Sequence, residues 1–384
     1  MARQPQQKSP TESTEPAHVW LPRWAQVLLL TLSAAAILAP AGDMQWHWDP
    51  TPPPQENRKL AEWPALTLQL QALQKWPAQY ETWVRDNFGF RSALIQWHSQ
   101  LMLDVLGISP RADVVLGKDG WLFLGSNKSI DAYRCIFPYE AAGLQHEIAY
   151  TRERTEFLRS RGIKYLNVWA PDKEQVYPEF LPLWIRRSGG PCRMDQLGEA
   201  LHGAGLSFVD LRAAERLAKQ QAVAYHRTDT HWNAVGAYFG YRAIVTELRK
   251  WFPKTPMLEP KDLQFMEVPR PGGDLARQLD LEQRYAGPQT FARIAQAHCR
   301  PVQPSATRPK GTKLEAFDCA NPHGPRVLMF GDSFGNALIP FLAESTSHFL
   351  AVEFGPPIDN DLIDLEKPDV VIEIHVERQM QPDR

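Results

Sequence analysis

The segment WAQVLLLTLSAAAILAPAG, residues 24–42, runs for 19 residues without a charged side chain. As a helix it would be about 28 Å long, close to the hydrocarbon thickness of a bilayer. No later segment is as long and as apolar. Arg3, Lys8 and Arg23 precede it and Asp43 follows it, which predicts the N-terminus inside and the rest translocated. Trp20 and Trp24 suit the interfacial belt. Ala39-Pro40-Ala41 has the small-residue form of a signal-peptidase site, so cleavage is the alternative. The long, weakly basic leader favours an uncleaved signal anchor. A buried core helix ranks third, because the run lies outside the rest of the folded pattern.

Either of the first two readings places residues 43–384 in an extracytoplasmic, oxidising space, and the favoured anchor makes the chain a single-pass inner-membrane protein with a periplasmic domain. The four cysteines then allow three pairings. Cys299 and Cys319 bracket a loop rich in Pro and Lys, and Cys135–Cys192 is the complement; free buried thiols are the alternative. No C-x-x-C is present, which removes the zinc-cluster reading.

Lys and Arg number 42 against 44 Asp and Glu, a net charge of −2, so the chain lacks the basic excess of a nucleic-acid binder. The sequence divides into a cytoplasmic leader at 1–23, an anchor at 24–42, a Pro-rich tether at 43–62, and a folded domain at 63–384. Apolar spacing predicts two helices within 63–106, broken at Phe88-Gly89-Phe90. Val114-Val115-Leu116, Asp119-Gly120 and Trp121-Leu122-Phe123-Leu124 spell a β-hairpin.

From about residue 141 helices and strands alternate. Helices are expected near 143–161, 195–203, 211–222, 233–251 and 336–345. The 233–251 helix reads as amphipathic. Strands are expected at 165–169, 207–210, 327–330, 352–354 and 370–374, and 254–324 reads as loop-rich. This order predicts an α/β fold of three layers, α/β/α, with a mostly parallel sheet.

Two clusters carry candidate chemistry. The strand at 327–330 runs into Gly331-Asp332-Ser333-Phe334-Gly335 and then a helix. A Ser at such a turn has its Oγ exposed at the carboxyl end of the sheet, beside amides that stabilise negative charge. Asp and Ser are also ordinary helix caps, which is the plainer reading. The second cluster is Thr228-Asp229-Thr230-His231-Trp232-Asn233, where a carboxylate two residues from a His can orient its ring and stabilise the imidazolium. Its plainer reading is a capping Asp beside a packed His. Asp229, His226 and His231 are also conceivable metal ligands, but no further ligand sits at metal spacing, so no metal and no cofactor is expected.

Taken in order, several motifs resemble the alginate O-acetyltransferase family of the AlgJ/AlgX type, which is SGNH hydrolase-like. They are FGFRSALI at 88–95, GKDGWLFLG at 117–125, APDKEQVYPEFLP at 170–182, TDTHWN at 228–233, FGDSFG at 330–335 and VIEIHVERQM at 371–380. In ordinary SGNH hydrolases the Asp/His element follows the Ser; the permuted order here is similar to that of the acetyltransferases. The resemblance implies Ser333 as nucleophile, His231 as general base and acid, and Asp229 as the orienting carboxylate. It implies an acetyl-Ser333 intermediate attacked by a sugar hydroxyl, with the Ser333 amide in the oxyanion hole.

Lys173, Tyr177, Trp232 and Arg378 are expected as substrate contacts, and Asp332 reads as a turn residue. The implied partners are an acceptor polysaccharide, a multi-pass membrane acyltransferase supplying acetyl groups, and other polysaccharide export or biosynthesis proteins, with no nucleic acid. An acetylesterase using the same triad and a non-catalytic polysaccharide-binding subunit are the competing readings.

Overall fold

The computed structural model describes residues 21–53, 59–67, 69–126, 128–304, 313–353 and 359–380. Residues 1–20 of the leader, Trp20 among them, part of the tether and Phe354 lie outside the described residues. The chain groups into two compact units, residues 1–95 and 96–384.

In the first unit the apolar run forms helix α1, Arg23–Trp46, five residues longer than the uncharged segment. It is the one helix among the described residues long and apolar enough to cross a membrane. Leu30 is 70% exposed and Ile37 73%, so α1 is not a buried core helix. Helix α2 spans Leu70–Asn87 and helix α3 begins at Arg91, with the expected break between them. Asp43, near the end of α1, accepts the Phe90 amide at 2.7 Å and the Asp49 amide at 2.7 Å. A side chain at Gly89 would come within 2.0 Å of the Pro40 carbonyl oxygen, so only glycine permits this approach. The Phe88-Gly89-Phe90 break is therefore built against α1. Residues 63–95 fall in the first unit.

Helix α3, Arg91–Leu101, contains the boundary between the two units. The second unit then opens with the hairpin β1, Val114–Leu116, and β2, Leu122–Leu124, which pair antiparallel. Asp119 and Gly120 take φ of 54° and 75° in its turn, as an Asp-Gly pair does readily. Next come α4 (Ser129–Arg134), α5 (Ala141–Ser160), β3 (Lys164–Ala170), α6 (Lys173–Val176), α7 (Arg193–Gly203), β4 (Val209–Asp210), α8 (Arg212–Gln221) and α9 (Ala234–Leu248).

Residues 254–324 depart from expectation. They hold β5 (Leu263–Arg270), α10 (Asp274–Gln278) and β6 (Gly287–Ile294), then β7 (Cys299–Val302) and β8 (Lys313–Cys319). Strands β5 and β6 form a separate antiparallel ribbon. Both of its faces are largely solvated, so its sequence lacks the alternation that marks a half-buried strand.

The chain ends with β9 (Arg326–Gly331), α11 (Ser333–Asn336), α12 (Ile339–Ala343), β10 (His348–Glu353), α13 (Asn360–Glu366) and β11 (Val370–Val376). The single helix expected at 336–345 is thus two short ones.

The main sheet has seven strands in the order β4-β3-β11-β9-β10-β8-β7. The first five run parallel, and β8 and β7 are antiparallel additions. The central strands are apolar on both faces, as in a covered parallel sheet. Val327 and Met329 of β9 face one cluster with Tyr241, Ile244, Val245 and Leu248 of α9. Leu328 and Phe330 face the other, with Leu158 of α5 and Leu362 and Ile363 of α13. This is the three-layer arrangement. Helix α9 is buried on most sides rather than amphipathic, because α8 and the sheet enclose it. Both disulfides are formed, Cys135–Cys192 and Cys299–Cys319, the pairing expected.

Candidate active site

Ser333 follows β9, one of the central strands, at the carboxyl edge of the parallel sheet, where α/β folds place their ligands. Gly331 brings the chain there: a side chain on it would lie 2.6 Å from Ile374 Cγ2 of the neighbouring β11. Asp332 then turns the backbone. Its Oδ1 accepts the Phe334 amide at 2.9 Å and its Oδ2 the Val376 amide at 2.8 Å. Both oxygens are thereby occupied by backbone, which makes Asp332 a structural group that ties the Ser turn to β11.

The loop before α9 supplies the other half of the site. A bridge pairs Tyr225 with Trp232 and closes the loop that carries Asp229 and His231. Asn233 ends it, accepting the Val235 and Gly236 amides at 2.8 and 3.3 Å as the cap of α9.

The loop and the turn meet in one hydrogen-bonded line. Asp229 Oδ1 lies 2.7 Å from His231 Nδ1, and His231 Nε2 lies 2.8 Å from Ser333 Oγ. The His231 ring packs 5.0 Å from the Phe334 ring, centroid to centroid. This geometry orients the imidazole with its Nε2 lone pair at the hydroxyl.

The electrostatics follow from the same contacts. Burial raises the Asp229 carboxyl, but the His231 bond and charge and the Asp274 and His231 amides outweigh it and hold the group well below its usual range. Burial lowers His231, yet the Asp229 bond and charge, with Asp274 behind them, leave it above 6.5.

Asp274 was not singled out in the sequence. It heads α10 in the region read as loop. Its carboxylate accepts the Thr230 amide at 2.8 Å and the Thr230 hydroxyl at 2.6 Å, and its own amide donates to Asp229 Oδ2 at 3.0 Å. Gly273 makes this possible, since a side chain there would lie 2.4 Å from Asp229 Cβ. The signal available was Pro271-Gly272-Gly273-Asp274, a turn-forming run ending in an acid.

Asp229, His231 and Asp274 offer ligand atoms within 4.8 Å of one another. Those atoms are engaged: Nδ1 faces Asp229, and Thr230 and two amides take the carboxylate oxygens. The set serves the imidazole better than a cation.

The four expected substrate contacts stand differently. Lys173, Tyr177 and Trp232 are 2%, 3% and 1% exposed, so they lie behind the site rather than on its surface. The Tyr177 hydroxyl accepts the Ala224 amide at 2.8 Å, and the Trp232 indole donates to the Phe334 carbonyl at 3.2 Å. All three are closed to a substrate in this structure, which runs against the expectation of direct contact. Arg378 remains near the site, its guanidinium 5.2 Å from the Phe334 ring and ion-paired to buried Asp172.

An α/β/α sheet with Asp, His and Ser aligned at its carboxyl edge defines an SGNH-like serine site. The chain belongs to the family described as "SGNH hydrolase-like domain, acetyltransferase AlgX", whose model matches residues 114–351. It is 29% identical over 238 residues to the "Probable alginate O-acetylase AlgJ" of Pseudomonas aeruginosa, covering 58% of this chain and 56% of that one. It is 28% identical over 211 residues to the protein so named in Pseudomonas syringae pv. tomato, covering 54% and 51%. The chain thus spans about half the length of the curated relatives it matches.

Among solved structures, Bacillus cereus PatB1 with a sulfonyl adduct superposes with a TM-score of 0.52 at 14% identity, over 71% of this chain and 97% of that one. A DHHW family protein from Eubacterium siraeum gives 0.50 at 18%, over 70% and 94%. These two share the fold.

Proposed function

We propose that this chain is an extracytoplasmic O-acetyltransferase that acetylates hydroxyls of an exported polysaccharide through an acetyl-serine intermediate. The observation that carries the reading is the Asp229–His231–Ser333 line, with contacts of 2.7 and 2.8 Å. Ser333 Oγ attacks the acetyl carbonyl while His231 Nε2 takes its proton. The donor's leaving group departs with that proton, and the acetyl ester remains on Oγ. A sugar hydroxyl then gives its proton to His231 as its oxygen attacks the ester, and the proton returns to Ser333 as the acetylated sugar leaves. Asp229 keeps the ring in the required tautomer, and the Ser333 amide faces the developing oxyanion.

Helix α1 serves as the membrane anchor, and the two disulfides suit an exported domain. The acetyl group comes from a multi-pass membrane acyltransferase, and other export proteins deliver the polymer. Family membership and the similarity to probable alginate O-acetylases support acetyl transfer over other acyl chemistry.

The test is turnover of a chromogenic acetyl ester by the full chain in detergent, with and without acceptor oligosaccharides, followed by product mass. Acetylated sugar that disappears in Ser333→Ala supports the proposal. Free acetate alone would make the protein an esterase. No turnover, together with unchanged polymer acetylation in cells carrying Ser333→Ala, would leave a binding subunit.

A further inference from the structure

Lys173 is the first residue of α6, directly after β3, and is buried against the rings of Trp121 and Phe123 at 5.7 and 5.2 Å. Its ammonium donates to three backbone carbonyls of a single loop: His226 at 3.1 Å, Arg227 at 3.2 Å and Asp229 at 2.7 Å. That is the loop on which Asp229 and His231 ride. A lysine ammonium has three N–H donors, and here each has one acceptor. Three carbonyls converging on one point would repel each other without a cation among them.

Resting on the function proposed above, we propose that Lys173 is a positioning residue of the site, whose charged ammonium locks the loop that aims His231 at Ser333. It touches neither substrate nor reacting atoms. Its action runs through the carbonyls, which fix the backbone under the Asp229 side chain, and so the direction of the His231 ring. A neutral amine cannot replace it. It keeps two N–H donors and turns a lone pair toward the third carbonyl.

This role separates activity from stability on the alkaline side. Burial brings the Lys173 ammonium down to about 8, against the charges of Glu174, Asp229 and Asp274 that hold it up. Glu174 on its own helix, Asp229 and His226 on the loop, and Asp274 on α10 are the charged and titratable groups that face it. Between about 8 and 10.5 the unfolded chain binds the proton that the folded chain has released, so this group's contribution to stability rises with pH. Over the same interval the loop loses its third donor and kcat falls. A buried lysine that merely filled space would give the stability trend without the fall in kcat.

The experiment measures kcat, KM and melting temperature of the full chain from pH 6.5 to 10 for wild type, Lys173→Arg and Lys173→Met, with a chromogenic acetyl ester. The expected wild-type result is an alkaline fall in kcat centred near 8, at nearly constant KM and without a matching fall in melting temperature. Lys173→Met should lose about tenfold or more in kcat at pH 7, the scale of a misaimed catalytic group. Lys173→Arg, permanently charged, should keep more activity than Lys173→Met and lack the alkaline fall. Wild-type kcat flat to pH 9.5, or the same fall persisting in Lys173→Arg, overturns the proposal. If neither variant folds, the wild-type profile decides. An inactive wild type would instead count against the acetyltransferase reading itself.

Discussion

Trp232 donates its indole N–H to the backbone carbonyl of Phe334 at 3.2 Å across 102 residues of sequence. Each is the immediate successor of a site residue, His231 in one case and Ser333 in the other. The bond therefore staples the two halves of the site one residue behind the chemistry. Trp232→Phe keeps an aromatic ring and removes the donor. The expected outcome is a loss of about 1 kcal/mol in stability, the worth of one buried hydrogen bond, with a larger fall in kcat than in 1/KM. Steady-state kinetics beside urea unfolding would check it; an unchanged kcat would show that Ser333 and His231 find each other without the staple.

The pH response below neutrality depends on His231. It must be neutral to accept the Ser333 proton, so kcat/KM should rise with pH through its titration. Because Asp229 holds the ring above 6.5, the midpoint should lie above 6.5. Asp229→Asn should move it down and lower kcat by several orders of magnitude, since the ring loses both its counter-charge and its tautomer. The ion pair also stabilises the fold. The His231 share is full below 6.5 and is lost as pH rises through its folded value. The Asp229 share is present above 3.8 and is lost as pH falls through its depressed value. A pH–rate profile with an acid midpoint at or below 6.5 would contradict this electrostatic account.

Gly273→Ala tests the backing of Asp229. The new methyl would start 2.4 Å from Asp229 Cβ and must push either the loop or α10 aside. A displacement of about 1 Å at a catalytic group costs on the order of 100-fold in rate. Overpacking should cost about 1–3 kcal/mol as well. Kinetics and thermal melting of this one variant separate the two effects, and a fully active Gly273→Ala enzyme would remove Asp229 from the line.

The two disulfides should differ in weight. Their sequence separations are 20 residues for Cys299–Cys319 and 57 for Cys135–Cys192. Chain-entropy arguments give about 3 and about 4 kcal/mol respectively. Denaturant curves of the two double Cys→Ser variants should show this order, and both should be less stable than wild type.

The parallel core and the two clusters were legible in the sequence because each depends on local grammar. Val327–Phe330 is a short apolar run ending in a small-residue turn, and Asp229-x-His231 precedes a capped helix. The ribbon β5–β6 was not legible, because strands solvated on both faces show no hydrophobic period. Asp274 was hidden for a related reason: its place beside Asp229 depends on where the segment after β5 returns. Lys173 read as a substrate contact because lysines seldom lose their solvent. Only the converging carbonyls of a distant loop explain its burial. The Asp43–Phe90 contact was hidden too, because it joins segments 47 residues apart.

Strand β11 is the last in sequence, yet it lies between β3 and β9 near the middle of the sheet. Its Val376 amide also completes the Asp332 turn beneath Ser333. Without β11, β3 and β9 would have no shared neighbour and the turn at Ser333 would lose half its support, so sheet order and site geometry stand or fall together.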